Sequence, residues 1–341
     1  MYLEHLPTET LTNIYLFLPT VSSALALSST CHRLYNTYHS SKRLEILTQA
    51  AEAEFGPLDD TIQLLTHNAS QPAHIHRHAP ISIALIQQII KVGRVAQLWE
   101  EAYPFKKWKE DYASRRLLSE GERFLLRRAV YRLWLFDAAF HNAAHVRTAR
   151  ALPITMRERA ALLHNFNTAE LAEMLDVHLV MRDMVANNIC PSNGNMRQKL
   201  RKRFPDGINI HLNYPVTSFL PPDDRYYSSS MANSKYHSPF LPSQLSSPWP
   251  EDSGWGDDIG HYYIVEDMMK LDPSQILYLR DSCPMKRQIE GYVAGMGDWF
   301  GNNGETLSET IGFVVRQRGG GMEDLKAAIE EGEAGVVLQA D

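Results

Sequence analysis

Leu6-Pro7-Thr8-Glu9-Thr10-Leu11-Thr12-Asn13-Ile14-Tyr15-Leu16-Phe17-Leu18-Pro19 is the stretch on which the reading of this chain turns. Pro7 suits a first helical position, because the N–H it lacks would be unpaired there anyway. Glu9 falls in the first turn, where a negative charge meets the positive end of the helix dipole. Leu11, Ile14 and Leu18 recur at three and four residues, which predicts one apolar stripe on a helix from about Pro7 to Leu18. Pro19 ends it. Thr20 is an N-cap candidate for a second helix carrying Val21, Ala24, Leu25 and Leu27. Ser28-Ser29-Thr30 breaks that helix and offers caps for a third, carrying Cys31, Leu34, Tyr35 and Tyr38. Helices this short are marginal alone and need a common core. A trio of about forty residues cannot bury all of its apolar side chains internally, so some of that surface is left for a partner.

The order of these features resembles an F-box. The resemblance rests on Leu6-Pro7-Thr8-Glu9, on Leu11 and Ile14 at the next turns, and on the Leu18-Pro19 break. The second helix Ala24-Leu25-Ala26-Leu27 and the third-helix run Cys31-His32-Arg33-Leu34-Tyr35 complete it. It spans residues 3 to about 47, under one seventh of the 341 residues. Many F-boxes carry a Trp in the third helix, whereas here no Trp precedes Trp99 and the Cys-His-Arg-Leu-Tyr form stands in its place. The resemblance implies that Leu6, Pro7, Leu11, Ile14, Leu25, Leu27, Cys31 and Leu34 contact a Skp adaptor or support the face that does. Through the adaptor the chain would join a cullin and a RING subunit. It would be the non-catalytic substrate receptor of an SCF-type ubiquitin ligase, with the chemistry left to the recruited E2. The alternative within the same resemblance is an adaptor-bound interaction scaffold acting outside any ligase.

At 341 residues the chain is long enough for one large domain or two smaller ones. The net charge of −6 argues against a general nucleic-acid binder. Cys31, Cys190 and Cys283 are odd in number and widely spaced, which predicts reduced thiols and a cytoplasmic or nuclear location. The start lacks the basic segment of a secretory signal, and no unbroken apolar run approaches a membrane span. No membrane partner is therefore expected, and the sequon Asn68-Ala69-Ser70 is expected to stay unused.

Beyond residue 47 the pattern is helical, and the expected class is mainly α. The N-terminal trio would be packed on or linked to a larger all-helical domain over 48–213. Leu44–Glu54 continues as helix until Gly56-Pro57, and 46–80 otherwise reads as a connection. Ile81–Trp99 is a strongly apolar helix. Ser119 with Glu122, and Asn167 with Glu170, have capping-box spacing, and Asp272-Pro273 is a cap followed by a first-position proline. Residues 214–258 are rich in Pro, Ser, Asp and Tyr and read as a long loop or partly disordered insert. Helical signals return over 259–318, with one face from Met285 to Phe300 and another from Leu307 to Val315. After Gly319-Gly320-Gly321 the stretch 319–341 reads as a flexible acidic tail with room for one short helix. No repeat of leucine-rich or WD40 length is present. The stretch 119–140 and the run Asp298–Glu305 resemble the bodies of F-box proteins abundant in filamentous fungi, which supplies no substrate.

No cofactor is expected. His74, His76 and His78 alternate, but no Cys or carboxylate pair stands nearby to complete a metal set. His141 and His145 have zinc-helix spacing, yet Asn142 stands where a metalloprotease has Glu. Gly295 and Gly297 interrupt an apolar helix and do not follow a strand, unlike a dinucleotide loop. The basic run Arg197, Lys199, Arg201, Lys202, Arg203 reads as a solvated helix end or as an import or acidic-partner patch. Tyr226, Tyr227, Tyr236, Phe240, Trp249 and Trp255 lie in the polar insert, either as anchors for a protein substrate or as pins to the domain.

Overall fold

The computed structural model describes residues 3–68, 70–150, 152–203 and 254–338. Among these residues every regular element is helical and none is a strand, in keeping with the mainly α reading. No helix among them is long and apolar enough to cross a membrane.

A 3-10 turn at Leu3–His5 leads into α1 (Thr8–Leu16), α2 (Val21–Ser28) and α3 (His32–Tyr38). Pro7 stands at the N-cap of α1 and not inside it, and α1 closes at Leu16, two residues early. Thr20 caps α2 as expected, its hydroxyl accepting the Ser23 N–H at 3.0 Å. The Ser-Ser-Thr cluster works in the other direction from that expected. The hydroxyls of Ser28, Ser29 and Thr30 donate back to the carbonyls of Leu25, Ala26 and Leu27, so they satisfy the end of α2. Cys31 then opens α3 without a side-chain cap. The trio closes on Leu11, Tyr15, Leu34 and Tyr38. The Tyr15 hydroxyl donates to the Leu34 carbonyl at 3.1 Å, tying α1 to α3.

Next come α4 (Arg43–Phe55), α5 (Leu58–Leu65) and α6 (Ile83–Lys107). Helix α5 lies where the spacing predicts only a connection. Asp59 and Asp60 sit in its first turn, and Leu58, Ile62 and Leu64 are buried. Helix α6 starts at the Ser82 cap and runs two turns past Trp99, because Tyr103 continues its buried face. The apolar cluster beneath α1–α3 takes in Ile46, Ala50, Phe55 and Leu58, then Ile86 and Ile89 of α6, so it lies on both sides of residue 47.

Gly93 is where α4 and α6 approach closely. A Cβ there would lie 2.3 Å from Cδ1 of Phe55. Gly93→Ala would gain roughly 1 kcal/mol of helix propensity, but the Phe55 ring would have to leave its place in a packed core. The expected net result is a loss of about 1–3 kcal/mol in thermal or denaturant unfolding. Unchanged stability would contradict this contact.

The body is built around α7 (Glu120–Phe140) and α10 (Thr168–Met184), each opened by the expected capping box, at Ser119/Glu122 and Asn167/Glu170. One flank of α7 carries arginines that engage three other elements. Arg127 Nε donates to the Gly56 carbonyl at 2.9 Å and its Nη1 pairs with Glu100 of α6. Arg128 pairs with Glu173 of α10, and Arg132 pairs with Asp60 of α5 and Glu170 of α10. The Tyr131 hydroxyl donates to the Phe55 carbonyl at 2.8 Å. The end of α4 is thus held by two α7 side chains.

Around this pair lie α8 (Arg147–Arg150), α9 (Pro153–His164), α11 (Asn193–Arg203) and α12 (Asp258–Met268). They are followed by α13 (Pro273–Ser282), α14 (Lys286–Ala294), α15 (Leu307–Gln317) and α16 (Met322–Glu330). Asp272 caps α13 with Pro273 in its first turn. The face expected from Met285 to Phe300 breaks after Ala294. Gly297 adopts a φ of +92°, and Phe300 is buried beyond that turn. The stretch read as a flexible tail is packed as far as residue 337: Leu325 and Ile329 of α16, and Val336 and Val337 after it, join the main core. The insert 214–258 lies outside the described residues up to 253, and with it Tyr226, Tyr227, Tyr236, Phe240 and Trp249. Trp255 packs on the main core with the Lys286 ammonium 5.3 Å from its ring centroid.

Candidate functional site

The eight residues singled out on α1–α3 divide by position. Leu11 and Leu34 are buried in the trio's own core and support its surface without reaching it. Leu6, Ile14, Leu27 and Cys31 are half-buried against the same cluster, and Cys31 is a free thiol. Pro7 and Leu25 are exposed, Leu25 at 49 %. Two aromatics add to the exposed surface: Phe17 at 86 %, which the stripe leaves out, and Tyr35 at 50 %, expected on the third helix. Phe17 follows the last residue of α1, between Leu16 and Leu18, in a run with more apolar side chains than one stripe can bury. That excess was the available signal. An exposed Phe is ordinary alone, but several large apolar side chains on a small helical unit mark a contact surface.

A second candidate lies on the body, where Arg150 of α8 borders three depressions. One of about 380 Å³ is lined by His178 and Arg182 of α10, Tyr262 and Glu266 of α12, Ser308 of α15 and Lys326 of α16. The other large one, of about 480 Å³, is lined by Arg147, Tyr262, Tyr263, Asp267 and the turn Asn302-Asn303-Gly304. Asp267 builds that turn by accepting the N–H groups of Asn302, Asn303 and Gly304 at 2.7, 2.9 and 2.8 Å, and it pairs with Lys270. Glu266 is paired with Arg182. Glu305 accepts the N–H groups of Leu307 and Ser308 and so caps α15 from its side chain.

Ser308, His178 and Glu305 adjoin in the first depression, but not as a catalytic relay. Ser308 Oγ is 3.4 Å from His178 Nε2, and Glu305 Oε1 is 3.7 Å from the same nitrogen. A relay needs the acid on the other ring nitrogen, Nδ1. The set instead holds α10 against the start of α15.

His141 ends α7 inside the core, and His145 lies on the loop after it, so the two do not share a helix face. The Thr306 N–H donates to His141 Nε2 at 3.2 Å, which makes that nitrogen an acceptor and leaves Nδ1 to donate to Asp137 at 2.9 Å. Burial pushes the ring's pKa from 6.5 down to about 3. Between those values the unfolded ring takes up a proton that the folded ring refuses, so the His141 contribution is present above 6.5 and lost as pH falls. Asp137, pushed up by burial and by the nearby Asp272 and Glu305, has the opposite slope. His141 is therefore read as a difference. Relative to His141→Gln, the wild type is expected to lose up to about 1.4 kcal/mol per pH unit below 6.5. Parallel stability–pH curves for the two proteins would contradict the assignment.

His74, His76 and His78 are exposed on a loop pinned by the buried Gln63 amide, which bonds the carbonyls of Ala73 and Ile75 and the Arg77 N–H. Among the described residues no group of three or more His, Cys, Asp or Glu side chains is placed to hold a metal ion. The basic run lies on α11, where Lys199 Nζ bonds the Asn187 carbonyl. Sequence reasoning missed the Arg150 depressions because their walls come from α8, α10, α12, α15 and α16, and no short motif joins them. Comparison with protein-family models, curated proteins and solved structures finds no match to this chain.

Proposed function

We propose that this chain is a receptor subunit of an SCF-type ubiquitin ligase, docking a Skp adaptor through α1–α3 and presenting a protein substrate on its helical body. The observation that carries this reading is the ordered Leu6–Tyr35 pattern, together with the large apolar side chains Phe17, Leu25 and Tyr35 left exposed on a unit whose own core is full. Burying one such side chain against a partner is worth roughly 1.5–3 kcal/mol. In this role the chain performs no chemistry and requires no cofactor. It holds a substrate near the E2 thioester, and the rate gain comes from proximity.

The test is co-expression of the full chain with the Skp adaptor, followed by size exclusion and analysis for cullin. A stable complex that carries cullin supports the ligase role. A complex without cullin leaves the scaffold alternative. No complex from a well-folded chain removes the adaptor reading.

A further inference from the structure

Arg159 of α9 is only 2 % exposed, yet among the described residues no carboxylate lies within ion-pair distance of it. Its Nη2 donates to the Arg150 carbonyl at 3.2 Å and lies 3.9 Å from the Met156 sulfur, and its Nε has no partner. A guanidinium does not shed its proton, so burying one without a counter-charge is costly. The arginines on α7, by contrast, each have a carboxylate within reach.

Arg159 lines a recess of about 10 Å³ with His145, Thr155 and Thr306, room for about one water-sized atom. Arg150, Asn303 and Gly304 form a wall common to this recess and the 480 Å³ depression. The acids along that wall are already engaged: Glu266 by Arg182, Asp267 by three backbone N–H groups and Lys270, and Glu305 by the start of α15. Glu309 reaches Arg150 at 3.3 Å. Arg147, exposed, lines the depression with no ion-pair partner among the described residues, and Arg159 has Glu309 and Glu305 acting on it only from beyond ion-pair distance. Tyr262 and Tyr263, both exposed, line the depression with Arg147 and Arg150.

We propose that this groove binds a peptide oxyanion, a C-terminal carboxylate or a phosphorylated side chain. Arg147 and Arg150 hold the charged group, one oxygen enters the recess before Arg159, and Tyr262 and Tyr263 flank the chain. The two sources share the chemistry a guanidinium recognises, short charge-assisted hydrogen bonds to planar or tetrahedral oxygens. The choice of a peptide as carrier rests on the receptor reading, whereas the anion site rests on Arg159 and its recess.

The test is thermal unfolding of the full chain with 10 mM acetyl-GAYAGA as the free acid, as the amide, and as the amide with phosphoserine as the last residue. A rise of about 2 °C is expected with at least one charged peptide and none with the neutral amide; which charged form acts identifies the source. Arg159→Met is expected to unfold at or above the wild-type temperature without peptide, because it removes an unpaired buried charge, and to lose the peptide response. Arg147→Ala, an exposed change that leaves the fold alone, is expected to weaken that response. Absence of a shift with either charged peptide, or an equal shift in Arg159→Met, overturns the proposal. A peptide response from a well-folded wild-type chain that does not bind the adaptor would leave the groove standing and remove the receptor reading. Adaptor binding without a peptide response would do the reverse.

Discussion

Replacing Phe17, Leu25 and Tyr35 together by aspartate is expected to weaken adaptor binding by more than about 100-fold while leaving the unfolding temperature nearly unchanged. Phe17 is almost wholly in solvent, and Leu25 and Tyr35 are half exposed, Tyr35 resting on the His39 ring, so the substitutions remove little internal packing. Surface changes away from packed features usually shift stability by within about 0.5 kcal/mol. At an interface the same side chains would be buried. Truncating a buried aromatic anchor costs about 2 kcal/mol or more, and a charge in its place adds desolvation. Leu11→Asp makes the contrast. Leu11 is fully buried, and a carboxylate there would disrupt the trio before any partner is involved. Its loss of binding would therefore say nothing about contact. Titration calorimetry of the triple variant and the wild type against the adaptor decides the matter. Equal affinity would sink the proposed docking face.

The largest expected loss of stability belongs to Asp176→Ala. Asp176 is 1 % exposed and accepts from the Tyr103 hydroxyl at 2.5 Å, from Lys107 Nζ at 2.8 Å and from the Val336 N–H at 3.0 Å. Alanine would leave an ammonium, a buried phenol and a buried backbone donor without their acceptor. Breaking such a set from one side costs about 3–5 kcal/mol. It should also release the chain after α16, because the Val336 N–H loses its acceptor on α10 and Lys107 Nζ keeps the Ile329 carbonyl without its counter-charge. Chemical denaturation reads the stability, and limited proteolysis over residues 319–338 reads the release. A loss under about 1 kcal/mol with that stretch still protected would contradict the role given to Asp176.

What was legible in the sequence was chiefly the local chemistry of helix starts. Thr20, Ser119, Asn167 and Asp272 each cap the helix their spacing indicates, because a cap is satisfied within three residues. Helix α5 was missed because it is only eight residues long, follows a Gly-Pro break, and is held by α7 seventy residues away through Asp60 and Arg132. The short helix in the last stretch was allowed for, but its packing was not: Leu325 and Ile329 are few among acids, and the segment is anchored by Asp176, about 160 residues earlier. On α1–α3 the stripe identified the core correctly at Leu11 but said little about the surface, since Phe17 and Tyr35 are defined by what fails to be buried. Arg159 was invisible for the opposite reason. In the sequence it is one more cation on a helix, and only the fold removes it from water and leaves its Nε without a partner.

The contact between Gly93 and the Phe55 ring, with Arg127 and Tyr131 holding the last carbonyls of α4, bears on how such a chain can be recombined. A segment exchanged at residue 47 would bring foreign helices onto half of a foundation, since Phe55, Ile86 and Ile89 belong to the other parent. Viable chimeras of this protein should therefore have crossover points beyond α6, and the N-terminal helices should be inherited together with the first half of the body as one unit.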